Sequence, residues 1–376
     1  ASGKIIIPGV WHTHCHFRDP GYTHKEDFES GTRCAAAGGI TFTIDQTNCK
    51  PITTTLEAFQ EKRKIAESKC LVDFNHYAGA VNPKEIPKMA EAGAIAVKVF
   101  NTRHPKEVYP YISELGVTDH GLLYEIYEAT AKTGLVVAVH HDDPDLVRTL
   151  VFRDYINKGR TDPKAFHEAW QRGYMYGHGM ISGLASSLYI AKITGVRLLV
   201  LHLGIMPSEA YEMIRHARSR GQTVYTEVEV RFILMSRERA EKLGPYATGY
   251  ADPESHVKNP EETWKAMVDG TADILVAEHA PHTRAELEPG WKDMWSSALG
   301  VPSCQEFLPL MLTQVNKGRI TLEKLIELTS EKPARIFGIY PKKGIIRVGS
   351  DADLTIIDLK KRDTITRDKV LSKTGI

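Results

Sequence analysis

The chain has 376 residues, 48 Lys+Arg against 47 Asp+Glu and 42% hydrophobic residues. That is enough for two domains, or for one large α/β barrel with an appendage. A formal charge of +1 without a basic run argues against nucleic acid or a membrane surface as partner, and no apolar stretch approaches the about 18–20 residues that span a bilayer. Five scattered cysteines with no CxxC pair argue against a disulfide framework and for a reducing, cytoplasmic setting. The start, Ala1-Ser2-Gly3-Lys4, lacks the features of a signal peptide.

Lys4–Ile7 reads as a short strand. Eight apolar runs follow as further strands: Gly9–His14, Ile40–Asp45, Leu71–Asn75, Ile95–Phe100, Leu135–His140, Leu198–His202, Thr223–Val228 and Ile274–Glu278. Amphipathic stretches lie between them at Thr54–Ser68, Leu122–Lys132, Leu184–Thr194, Ser208–Arg218 and Pro260–Val268. Gly134, Gly195, Gly221 and Gly270 stand where helices stop. Eight strands alternating with helices predict parallel βα units and an α/β fold, a (β/α)8 TIM barrel over residues 8–338. No GxGxxG follows the first run, which disfavours an open doubly wound sheet. Two helices near Leu322–Ser330 and Pro333–Phe337 lead to turn-rich β structure around Gly344–Asp358. Residues 1–7 and 339–376 are therefore expected to form a small, incomplete β-sandwich appendage.

Several apolar runs end in metal-capable residues. The first ends in His12-Thr13-His14-Cys15-His16, the fourth holds Lys98, the fifth ends at His140, the sixth at His202 and the eighth at Glu278. Barrel strands end at one mouth, so residues far apart in sequence converge there. His14 and His16 share a strand face, and His12 shares that parity but lies deeper if the strand is regular. A lone strand-end histidine is more often structural than a ligand, and a lone His-x-His pair is ambiguous. Four such ends in barrel register point to a metal site, with imidazole suiting Zn²⁺ and carboxylates widening the choice. Lys98 lies in Ala94-Ile95-Ala96-Val97-Lys98-Val99-Phe100. On the residues alone it is a salt-bridged lysine, or an amine whose pKa burial lowers enough to add CO₂.

The motifs His14-Cys15-His16-Phe17-Arg18-Asp19-Pro20-Gly21, Ala36-Ala37-Gly38-Gly39-Ile40-Thr41, Lys98 on its strand, His279-Ala280-Pro281-His282 and Gly349-Ser350-Asp351-Ala352-Asp353-Leu354 resemble the cyclic amidohydrolases: dihydroorotase, hydantoinase and allantoinase. The resemblance runs over nearly the whole chain. It implies two divalent metal ions, expected to be Zn²⁺. His14 and His16 would hold one and His140 and His202 the other, bridged by Lys98 as N6-carboxylysine. It implies that Glu278, on strand eight, binds a metal and carries the proton while a hydroxide between the metals attacks the ring amide. Arg18, Asn48 and His282 match dihydroorotase positions that hold the substrate carboxylate, so a small cyclic amide bearing a carboxylate is the expected substrate. Arginine suits a carboxylate because its fork binds both oxygens. The resemblance also carries an expectation of a homo-oligomer.

Some positions depart from the family pattern. His12 stands where Asp is usual, Glu278 where strand eight usually carries Asp, and Val230-Arg231-Phe232 where Pro-His-His is common. Leu201-His202-Leu203-Gly204-Ile205 lacks the usual hydroxyls, Tyr250-Ala251-Asp252-Pro253-Glu254-Ser255 replaces a different loop, and the stretch Trp170–Met180, with Tyr174, Met175, Tyr176 and His178, has no matching segment. His141 competes with His140 as ligand. Glu278 places its carboxylate one methylene farther out, and about 1 Å of misplacement at a reacting group costs on the order of 10²-fold in rate. The leading expectation is a dihydroorotase-like hydrolysis or reverse cyclisation. Its rivals are a hydantoinase- or imidase-type hydrolase and a catalytically weak scaffold subunit.

Overall fold

The structure, a computed structural model, describes residues 2–102, 114–172, 177–248 and 260–376. Tyr174, Met175 and Tyr176, and the Tyr250–Ser255 stretch, lie outside the described residues, as does the side chain of Trp170.

The strands in chain order are β1 (Ile5–Pro8), β2 (Val10–Cys15), β3 (Ile40–Asp45), β4 (Asp73–Gly79), β5 (Ala96–Asn101), β6 (Val136–His141), β7 (Arg197–Val200), β8 (Val224–Glu229), β9 (Ile274–Val276) and β10 (Leu354–Ile357). Strands β2 to β9 pair in sequence order, all parallel, in one eight-stranded sheet. A parallel bridge between Cys15 and His279 joins its two ends. His16 N–H donates to His279 O at 2.7 Å and His279 N–H to His14 O at 3.1 Å. The sheet is therefore a closed (β/α)8 barrel, as the alternating pattern requires. Its closing hydrogen bonds fall on the backbone of the first histidine pair itself, His14 and His16.

Two layers of apolar side chains hold it. Inside the barrel are Trp11, Phe42, Ile44, Tyr77, Ala96, Ala138, Leu199, Leu201, Ile274 and Val276, with Ile336 and Phe337 of the last helical segment packed against them. The alternate strand positions, such as Val97, Val99, Val137, Val139, Leu198 and Leu275, pack outward against the helices. Burial on both faces is why these strands read as near-continuous apolar runs. The helices stop where glycine permits a left-handed turn, as at Gly134 (φ +74°) and Gly195 (φ +71°).

Strand β4 runs to Gly79 rather than ending at Asn75, because Tyr77 and Ala78 are fully buried whereas Leu71 lies exposed. The helix read from Leu184 begins at His178, whose side chain is exposed. Strand β1 pairs antiparallel with β10, Ile5 opposite Ile357. This two-stranded sheet is tied to the barrel through Lys343, which reaches Asp73, Asp351 and Asp353. Among the described residues no helix is long and apolar enough to cross a membrane, and all five cysteines are free thiols.

Candidate active site

The C-terminal strand ends converge as predicted. The rings of His14 and His16 have centroids 5.3 Å apart, those of His14 and His202 5.0 Å, and those of His140 and His202 4.8 Å. Lys98 pairs with Ala138 across the sheet, and Ala138 with Leu199, so it faces the barrel interior. His140 has the same parity as Ala138 on β6 and faces the barrel interior, whereas His141 has that of the outward Val139.

The first strand is not regular. Its pairing with β3 steps from His12–Thr43 to Cys15–Asp45, three residues against two. Such a bulge lets consecutive residues face one side. Thr13 and His14 accordingly both reach Glu227, at 3.1 and 2.6 Å. His12 is turned the other way, against Phe307 in the outer layer, with ring centroids 5.7 Å apart. The expectation that His12 lies beneath His14 on its face is corrected. Its Nε2 accepts the Ala277 N–H at 3.2 Å, so the proton sits on Nδ1, 3.2 Å from the Cys15 thiol. Burial lowers its pKa to about 3.

Glu227 and Glu229 are the residues that sequence reasoning missed. Strand β8 aims both into the barrel, opposite Ile274 and Val276. Glu227 accepts from His14 Nδ1, and Glu229 from His202 Nδ1 at 2.5 Å. Asn48 Oδ1 accepts from His16 Nδ1 at 2.7 Å. A carboxylate or amide oxygen on Nδ1 fixes the proton there and leaves Nε2 as the ligand nitrogen. The signal in the sequence was Glu-Val-Glu ending an apolar run, with the same two-residue spacing as the histidine pair.

These donors form two overlapping groups. The ligand atoms of His14, His202, Glu227 and Glu229 lie within 4.8 Å of one another, as do those of His14, His16 and Glu278. Lys98 is 1% exposed, and its Nζ has no hydrogen-bond partner among the described residues. Burial pushes its pKa down to about 7, against the pull of Glu227 and Glu229, and pushes Glu227 up to about 7. The amine thus holds its proton weakly at neutral pH. Packed imidazoles, flanking carboxylates and a buried amine fit a site for divalent cations.

Beside the histidine cluster, Arg18 donates to His282 Nε2 at 3.1 Å and to Pro281 O at 3.3 Å. Lys25 lies 3.3 Å from His282 Nδ1. Burial and the Arg18 charge lower His282 to about 3, so the ring is neutral. Among the described residues only Arg18, His202 and Glu278 adopt positive φ without being glycine, at +63°, +62° and +56°. Each costs about 1–3 kcal/mol and persists only where packing enforces it. All three are residues that the sequence pattern assigned to the site.

The fold agrees with the comparisons. The amidohydrolase family pattern matches residues 5–374. L-hydantoinase of Paenarthrobacter aurescens is 36% identical over 363 residues, 96% of this chain and 76% of that protein. A dihydroorotase of Methanosphaera stadtmanae is 32% identical over 380 residues, 98% of this chain and 80% of its own. The solved structure of L-hydantoinase (dihydropyrimidinase) from Arthrobacter aurescens superposes with a TM-score of 0.90 at 34% identity, covering 100% of this chain and 81% of that one. The chain belongs to the amidohydrolase family, among its cyclic amidohydrolases.

Proposed function

We propose that this chain hydrolyses, or in reverse closes, a cyclic amide whose ring bears a carboxylate, as in dihydroorotate. The observation that carries the carboxylate is Arg18: a guanidinium buried at the mouth on left-handed backbone and bonded to His282. Asn48, whose Oδ1 bonds His16, adds an Nδ2 that has no partner among the described residues. A cation with a neutral donor beside it suits a carboxylate.

His14, His16, His140, His202, a carboxylated Lys98 and Glu278 would hold two divalent ions, for which zinc fits the donor set. Such ions, when bound, polarise the ring carbonyl and make a water nucleophilic near neutral pH. The chain's own groups do the rest. Glu227, Glu229 and Asn48 orient three of the imidazoles. Glu278 takes the proton from the attacking water and gives it to the departing ring nitrogen. Arg18, Asn48 and His282 hold the ring so that its amide faces Glu278.

A second reading, hydrolysis of a hydantoin ring, is favoured by the 36% identity to L-hydantoinase. The test compares kcat/KM for dihydroorotate and for 5-substituted hydantoins lacking a carboxylate. R18M is expected to lower the first by about 10–100-fold, the worth of a charged hydrogen-bond pair, and to leave the second within about threefold. Equal losses on both rings remove Arg18 from the carboxylate, and turnover of hydantoins alone selects the second reading. Metal bound without turnover of either ring selects a scaffold.

A further inference from the structure

Two departures from the family pattern that lie far apart in sequence meet in space. Arg231 opens the short helix Arg231–Leu234 directly after β8, and Glu278 follows the neighbouring β9. Arg231 is buried, and its Nη2 contacts Glu278 Oε2. The same carboxylate oxygen lies 3.7 Å from His202 Nδ1. The guanidinium also sits 4.7 Å over the Phe232 ring, a stacking that limits its movement. Glu278 is thus held between a cation and a histidine of the site, on backbone with φ +56°.

We propose that Arg231 is a positioning residue for Glu278, and that Arg231 and Glu278 form one coupled unit replacing the usual His and Asp. A glutamate has one more rotatable bond than an aspartate, so an unrestrained Glu278 would wander by about the 1 Å that costs on the order of 10²-fold in rate. The guanidinium removes that freedom: its Nη2 meets the carboxylate from a plane stacked on Phe232, which an ammonium does with less geometric control. The proposal rests on the reading of Glu278 as the proton carrier.

The test is a double-mutant cycle on the metal-loaded protein with whichever ring the wild type opens. R231M is expected to lower kcat by about 100-fold with KM changed less than about threefold, the signature of a group acting on the transition state. R231K, which keeps the charge and the packed stem, should recover about tenfold of that loss and remains readable if R231M does not fold. E278D alone should fall by about 100-fold. R231H/E278D should exceed the product of its two single variants by at least tenfold. Melting of the metal-free proteins gives an independent reading, because the ion pair does not need the metal: R231M and E278Q should shift Tm non-additively. Independent losses in the cycle, an unchanged kcat in R231M, a rise in KM alone, or additive Tm shifts each overturn the coupled unit while the functional reading stands. A wild type that opens no cyclic amide overturns both.

Discussion

Replacing Glu227 by Gln keeps the shape of a fully buried side chain and removes its charge. The carboxylate accepts from Thr13 Oγ1 at 3.1 Å and from His14 Nδ1 at 2.6 Å. Glutamine offers one acceptor oxygen, so one of these bonds is lost or reversed and the other loses its charge assistance. A charged hydrogen bond contributes about 1.5–3 kcal/mol net and a neutral one about 0.5–1.5, a difference equal to about a tenfold change in an equilibrium constant. Where the amide nitrogen turns toward His14, the imidazole must move its proton to Nε2 and ceases to be a ligand on that side. Loss of such orienting partners weakens metal binding by about 10–100-fold. The assay is competition with a chromophoric chelator at pH 8, above the value of about 7 to which burial pushes Glu227, with metal counted by elemental analysis. E229Q should act alike through His202. T13V removes the other bond to the same carboxylate, spares His14, and should weaken binding less than about threefold. Unchanged affinity in E227Q, or an equal loss in T13V, would refute the orienting role.

His12, held to about 3 by burial, stays neutral in the fold, whereas in the unfolded chain it titrates at about 6.5. As pH falls from 6.5 the unfolded state gains a proton that the folded state refuses, so stability drops by up to about 1.4 kcal/mol per pH unit. Urea denaturation of metal-free protein should show wild type losing about 2 kcal/mol relative to H12Q between pH 6.5 and 4.5; parallel curves would remove the buried neutral imidazole. A Cβ at Gly183 would lie 2.5 Å from Asp142 O and 2.7 Å from Asp142 N, so G183A should push the helix off the end of β6. A loss of about 1–3 kcal/mol in stability and weaker metal retention through His140 are expected from melting and metal analysis. K343M leaves Asp73, Asp351 and Asp353 facing one another. Asp73 and Asp351 are partly in water, so its denaturation midpoint should report less than the about 3 kcal/mol of a fully buried broken pair. Proteolysis should quicken in the tail around β10; an unchanged cleavage pattern would show that Lys343 does not tie the small sheet down.

Much of the barrel was legible because strand runs, helix stops and their alternation are local properties of a chain buried on both strand faces. The ligand candidates were legible for a related reason: a histidine or lysine at the end of an apolar run is conspicuous. The errors arose where the backbone departs from regularity. An assumed alternation placed His12 beneath His14, and the bulge after it reversed that parity. Glu227 and Glu229 were passed over because a glutamate in a strand reads as polar decoration until its neighbours across the barrel are known. The sixth and eighth strands are shorter than their apolar runs imply: β7 stops at Val200 and β9 at Val276, beyond which His202 and Glu278 sit on left-handed backbone.

The sequence by itself determined that this chain closes an eight-stranded α/β barrel and which imidazoles and lysine end its strands, because period, run length and glycine position act through near neighbours. Only the tertiary structure decided how those groups are held: which carboxylate or amide oxygen fixes the tautomers of His14, His16 and His202, that His12 leaves the mouth, and that Arg231 meets Glu278. Those facts depend on barrel closure, which brings neighbouring strand ends within hydrogen-bond reach although 47 positions separate the arginine from the glutamate.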